Sequence, residues 1–305
     1  MQISRRCLIL GSAVSLWAQD STFSTDVNVV TLLANVRDRD GRVAKDLTRE
    51  DFVLFENGAP QSIRYFAKES DLPLTIGLLV DTSRSQTGVM EPERKASFVF
   101  LDQVLRPGKD QAFVAHFDAQ AEVLQGFTSS RQELAAALDR LAIPGQVATL
   151  LYSAIRNTSE GLMRKQQGRK AFVLLSDGVT FRDRTDIETA IEYAQRADTI
   201  IYSILFADRA KFYRPGRAAI HAMVDEHGKN VMRRLARETG GAYFEVSASN
   251  PIESIYAEIE DALRSQYSIG YTSQNAGKSG EYHKIKLTVN KPGLIVQTRD
   301  GYYTR

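Results

Sequence analysis

Thr75-Ile76-Gly77-Leu78-Leu79-Val80 runs directly into Asp81-Thr82-Ser83-Arg84-Ser85. Six uncharged, mostly apolar residues read as a strand buried on both faces, as in the middle of a parallel sheet. Ligands of such sheets sit beyond the carboxyl ends of the strands, which is where the polar run begins. Oxygen-bearing side chains at its first, third and fifth positions can converge on one point. One carboxylate and two hydroxyls, with no thiol or imidazole, suit a hard cation such as Mg²⁺ better than zinc. A polar turn between strand and helix is the competing reading of the same five residues.

Two later segments bear on that choice. Thr149 stands in Val147-Ala148-Thr149-Leu150-Leu151-Tyr152-Ser153-Ala154, and the apolar run 170–175 ends in Ser176-Asp177-Gly178. The D-x-S-x-S run, the threonine loop and the S-D-G turn, in this order, resemble the metal-ion-dependent adhesion site (MIDAS) of von Willebrand factor A (vWA) domains. The resemblance spans roughly residues 72–265. It implies that Asp81, Ser83, Ser85, Thr149 and Asp177 share one Mg²⁺ or Mn²⁺, and that an acidic residue of a protein partner completes its shell. The chain departs from the family pattern in several places. Val147 and Ala148 replace two glycines, with Gly145 just upstream, and Thr180 replaces an acidic residue. Arg84 stands where a small residue is common; it adds positive charge beside the cation without removing a ligand.

Strand candidates at 75–80, 111–117, 122–127, 170–175, 199–206 and 242–246 alternate with helical patterns at 92–105, 131–141, 150–164, 186–197, 230–238 and 252–266. This alternation predicts an α/β fold, a doubly wound, mostly parallel, Rossmann-like sheet with helices on both faces. Asp81, Thr149 and Asp177 then share its carboxyl edge. The flanks have a β texture instead. Residues 27–36 and 51–56 read as strands, and Asn57-Gly58 as a hairpin turn into a return strand at 61–67. Residues 268–272, 284–289 and 294–298 read as three more strands. Each flank is too small to bury a core alone. The expected solution is one small β-sandwich made from both ends, with the vWA domain inserted, a topology similar to that of the integrin β hybrid domain. The domain map is 1–18 signal peptide, 24–68 first sandwich half, 72–266 vWA domain and 267–305 second half. The closing Gly301-Tyr302-Tyr303, the segment Asp51-Phe52 to Glu56-Asn57-Gly58 and the central core together resemble the exported VWFA-related acidobacterial-type family. That resemblance implies a fold without a defined ligand.

With 43% apolar and 25% charged residues among 305, the chain has an ordinary globular composition. Its net charge of +2, with bases dispersed among acids, argues against nucleic acid and anionic membrane as partners. Arg5-Arg6, the short apolar run 7–17 and Ala18-Gln19 read as a secretory signal, by the general or the twin-arginine route. An uncleaved anchor stays open, although the run is too short for a comfortable span. The only cysteine, Cys7, lies within it, so the mature chain would have no thiol chemistry. A periplasmic or secreted location follows.

Enzymatic readings are weaker. An aspartyl phosphotransferase needs a second aspartate where Ser83 stands. Gly277-Lys278-Ser279 lacks the first glycine of a phosphate loop, and no G-x-S-x-G elbow accompanies a serine. His116 reads as strand packing, and His221 and His227 as members of a polar loop at 210–229. The resulting expectation is a non-enzymatic, metal-dependent protein-binding module. A structural or assembly module without metal is the alternative, and a hydrolase or phosphotransferase the third.

Overall fold

A computed structural model describes residues 29–69, 72–143, 147–206, 218–273 and 279–304. The expected signal segment and the Gly277-Lys278 turn lie outside the described residues. The amino-terminal part forms β1 (Val29–Arg37), β2 (Phe52–Glu56), β3 (Ala59–Gln61) and β4 (Ile63–Glu69). The return strand expected at 61–67 is therefore two strands. β3 pairs with β2 across the Asn57-Gly58 turn for only three residues, at the edge of one sheet, where Pro60 costs no ladder bond. β4 then crosses to the other sheet, which lets Ile63 and Phe66 pack against the sandwich core.

The central part runs β5 (Leu74–Asp81), α1 (Met90–Val104), β6 (Gln111–Phe117), β7 (Ala121–Thr128), α2 (Arg131–Asp139), α3 (Leu151–Gly161), β8 (Arg169–Ser176), α4 (Ile187–Arg196), β9 (Thr199–Leu205), α5 (Ala218–Thr239), β10 (Tyr243–Glu245) and α6 (Ile252–Arg264). The sheet order is β10-β9-β8-β5-β6-β7, parallel except for β7. Every residue of β5 and of β8 is buried, as a strand covered on both faces requires. Ile76, Leu78 and Val80 point to one helical layer, with α1, α2 and α6; Leu79 points to the other, with α3, α4 and α5. Gly77 leaves room for two rings, since a Cβ there would lie 2.5 Å from Phe113 and 2.7 Å from Phe172. Helix α5 corrects the loop expected at 210–229, because its described turns begin at Ala218. Its first turns are mostly solvent-exposed, so no buried stripe marks them as helix in the sequence.

The chain then returns through β11 (Gln266–Thr272), β12 (Tyr282–Val289), β13 (Ile295–Gln297) and β14 (Gly301–Tyr303). Two four-stranded sheets result, β13-β1-β11-β4 and β14-β12-β2-β3, and each takes two strands from either end of the chain. One core joins them, with Leu32, Phe52, Leu54, Tyr267, Ile269 and Leu287 in contact across the layers. At one end of this core Glu56 accepts from Tyr302 Oη at 3.0 Å and Ser273 Oγ at 2.9 Å, and its Oε1 lies 2.8 Å from His283 Nδ1. The sandwich docks at the amino edge of the central sheet: Arg299 pairs with Asp198 at 2.8 Å, and Asp300 N donates to Glu238 O. The carboxyl edge is left open.

Because neither end segment completes a sheet, we expect 24–68 to lack a cooperative unfolding transition without 267–305, and 72–266 to fold alone. Calorimetry on the separate and co-expressed pieces checks this, and a cooperative melt of 24–68 alone contradicts it.

Candidate functional site

Asp81 is the last residue of β5, whose neighbours β6 and β8 mark the point where the strand order reverses. A crevice opens there in doubly wound sheets. Asp81 forms its floor and is fully buried. Its Oδ1 accepts from Ser83 N at 2.8 Å and its Oδ2 from Ser176 Oγ at 2.6 Å, which ties the first loop to the end of β8. Ser83 Oγ and Ser85 Oγ stand 3.0 Å apart. Adjacent ligands of an octahedral Mg²⁺, each about 2.1 Å from the ion, are separated by about the same distance. The hydroxyl pair therefore fits one edge of such a shell.

The other two loops close on this point. Thr149 N donates to Phe181 O at 2.9 Å and Phe181 N to Thr149 O at 3.1 Å, so the second and third loops are stitched together. Asp183 extends the seam. It accepts from Tyr152 N at 2.8 Å and Ser153 N at 3.0 Å, capping the start of α3 where the helix dipole favours an anion. Asp177 Oδ1 accepts from Val179 N at 2.9 Å. Behind it α5 approaches closely: Gly178 has φ 75°, and a Cβ on it would lie 2.3 Å from Gly228 O. Only glycine permits that backbone contact. The five expected residues thus share one edge, and Asp81 and Asp177 sense each other's charge.

Burial, and then the charge of Asp177, push the Asp81 carboxyl up to about 7. Glu93, on the buried face of α1, is raised well above its ordinary range by burial and by Asp81. Neither of its oxygens has a hydrogen-bond partner. Sequence reading passed over Glu93, although its spacing with Met90, Ser97, Phe100, Leu101 and Val104 places it on the buried stripe. Asp81 feels the charge of Asp177 and lends its own to Glu93, and a divalent cation would offset this negative charge. Two carboxylates and three hydroxyls are a donor set for a hard ion. Among the described residues no three His, Cys, Asp or Glu side chains gather into a metal-holding group, and this includes His221 on α5.

Asp118 and Thr82 were also missed. Thr82 Oγ donates to Asp118 Oδ2 at 2.7 Å, and Leu150 N donates to Asp118 O at 2.9 Å. Asp118 therefore joins the first loop to the second. His116, expected to pack within its strand, is half-buried and polar in role, with Nδ1 3.0 Å from Thr82 Oγ. The signal available was Asp118 just past the end of a strand neighbouring β5.

The family description of the von Willebrand factor type A domain matches residues 75–258. The chain belongs to that family. Domains of this family commonly hold a divalent metal at a MIDAS site. Among solved structures, proximal thread matrix protein 1 from the mussel byssus, with a zinc-occupied MIDAS motif, aligns with TM-score 0.50 and 13% identity over 68% of this chain and 49% of that one. The vWF domain of the type V pili tip protein Mfa5 from Porphyromonas gingivalis aligns with TM-score 0.47 and 12% identity over 63% and 95%. At such identities the likeness to the mussel protein is one of fold, and this chain spans about half of its length. Comparison with curated proteins gives no significant match. No described helix is long and apolar enough to cross a membrane.

The Asp81 shift fixes a pH dependence. Between the unfolded value of 3.8 and about 7 the folded vWA domain holds a proton that the unfolded chain has released. Metal-free stability therefore falls as pH rises through that window and levels off above it. Asp81→Asn should flatten the slope and raise the melting temperature in chelator at neutral pH, leaving the Glu93 and Asp300 contributions of the same sign. Thermal melts of both proteins across the window check this, and an unchanged slope contradicts it.

Proposed function

We propose that this protein is an exported, non-enzymatic vWA module, periplasmic or secreted, that captures a protein partner through a Mg²⁺- or Mn²⁺-dependent site. Asp81, Ser83 and Ser85 supply the first loop, Thr149 the second and Asp177 the third. The observation that carries this reading is the meeting of Asp81 and Asp177 where the strand order reverses, above a hydroxyl pair 3.0 Å apart. Charge on the rim supports an acidic partner. Arg84, Arg182 and Arg184 are exposed, whereas Asp183 is engaged at the start of α3 and Asp118 with Thr82. When bound, the cation offers an open position to an incoming carboxylate, and few direct carboxylate ligands keep it electrophilic. The protein's own part is to hold three loops rigidly, exclude water from the floor at Asp81 and present positive charge around it.

Binding to the folded state alone raises stability, by about 2.7 kcal/mol at a hundredfold excess over Kd. Mg²⁺ or Mn²⁺ should therefore raise the melting temperature by several degrees. Ser83→Ala and Thr149→Ala should weaken the rise, and Asp81→Asn, which keeps the buried shape of the floor, should abolish it. A wild-type melting temperature equal in Mg²⁺ and in chelator replaces this reading with that of a structural module without metal.

A further inference from the structure

Phe181 and Thr149 exchange both main-chain hydrogen bonds, as a directly opposed antiparallel pair. Opposed residues of that kind project their side chains to one face, with Cα atoms about 5.5 Å apart. Phe181 and Thr149 thus share one face, yet Phe181 is 48% exposed, and Val147, two residues before Thr149, is 55% exposed. Arg182 follows with left-handed backbone, φ 64°, and its guanidinium lies 5.2 Å from the Phe181 ring centroid. An arginine in that region is strained, and such strain persists only where its neighbours fix it. Here both do: Phe181 is held by Thr149, and Asp183 by Tyr152 N, Ser153 N and Ser153 Oγ. Of the acids of this loop, Asp177 and Asp183 are half-buried and Asp186 is exposed at the start of α4. Asp177 accepts from Val179 N, Asp183 binds the start of α3, and Asp186 accepts from Thr189 N at 2.7 Å to cap α4. What the loop offers outward is an aromatic face and positive charge, next to a proposed cation ligand.

We propose that Val147, Phe181 and Arg182 form the specificity surface of the site, and that its occupant is a protein segment in which an acidic residue neighbours a large apolar one. The metal-seeking carboxylate reaches the cation, the apolar side chain packs on Phe181 and Val147, and a second carboxylate pairs with Arg182. Charge complementarity selects this occupant, since Arg182 and Arg184 are exposed while Asp183 between them is half-buried and engaged with the start of α3. The proposal rests on the cation-dependent reading above, and the two are tested by separate readouts.

The probe is a random heptapeptide library displayed on phage, selected on the full chain in Mg²⁺. Sequences enriched on the wild type should pair Asp or Glu with Phe, Tyr, Trp, Leu or Ile within two positions, and chelator should release them. Phe181→Ala and Arg182→Glu should each reduce retention of those phage by about tenfold or more, as the loss of a charge-assisted or aromatic contact implies. Arg182→Gly relaxes the left-handed backbone, so it should fold as well as the wild type while losing the same retention. The Mg²⁺-induced thermal shift should persist in all three variants, which separates the rim from the cation site. Enrichment of peptides without the acidic–apolar pair, no enrichment at all, or equal retention by the rim variants overturns the proposal. A wild type without a thermal shift overturns the cation reading on which it stands.

Discussion

Two carboxylates held near one another at the end of a buried strand organise the business edge of this molecule. Asp81 sits in the sheet's interior, and Asp177 leaves the neighbouring strand end within range of its charge. Like charges in a low-dielectric setting repel strongly, so such a pair is retained only against a compensating interaction. Ser176 Oγ and Ser83 N supply part of the compensation by donating to Asp81, and an ion would supply the rest. The surrounding loops are arranged to bear this. Asp118 clamps the first loop to the second, Phe181 the second to the third, and Gly228 lets α5 press on the third from behind.

The β-sandwich makes sense as the support of that edge. It is assembled from both chain ends, which meet where Glu69 of β4 and Gln266 of β11 are register partners at the two borders of the central domain. The contacts of Arg299 with Asp198 and of Asp300 with Glu238 fasten it at the far end of the central sheet. An open carboxyl edge at one pole and the docked sandwich at the other follow from the same topology.

Much of this was legible in the sequence, for identifiable reasons. The charge-free run before Asp81 and the second before Ser176-Asp177-Gly178 announce buried parallel strands, because burial on both faces abolishes alternation. The three loops of the site were legible because their chemistry lies at strand or helix ends. Parts governed by tertiary contact were not legible. β3 and β4 form one continuous β-prone segment in sequence, and only the demand of two separate sheets divides them. The first turns of α5 have little buried face to give a period, and their close approach to the third loop at Gly228 is a tertiary contact. Glu93 carries the spacing of the buried stripe of α1 but not its apolar chemistry, and only the packing of α1 shows it inside. Asp118 and His116 matter through Thr82, which stands between two proposed ligands at a position whose type the metal motif does not specify.

The central claim is that one hard cation sits among these loops, and anomalous diffraction from crystals grown with Mn²⁺ tests it most directly. The account predicts a single strong peak at the carboxyl edge, about 2.2 Å from Ser83 Oγ and Ser85 Oγ, with Asp81, Thr149 and Asp177 in direct or water-mediated contact. A crevice without a peak at saturating Mn²⁺, or an ion bound only elsewhere on the chain, would contradict it.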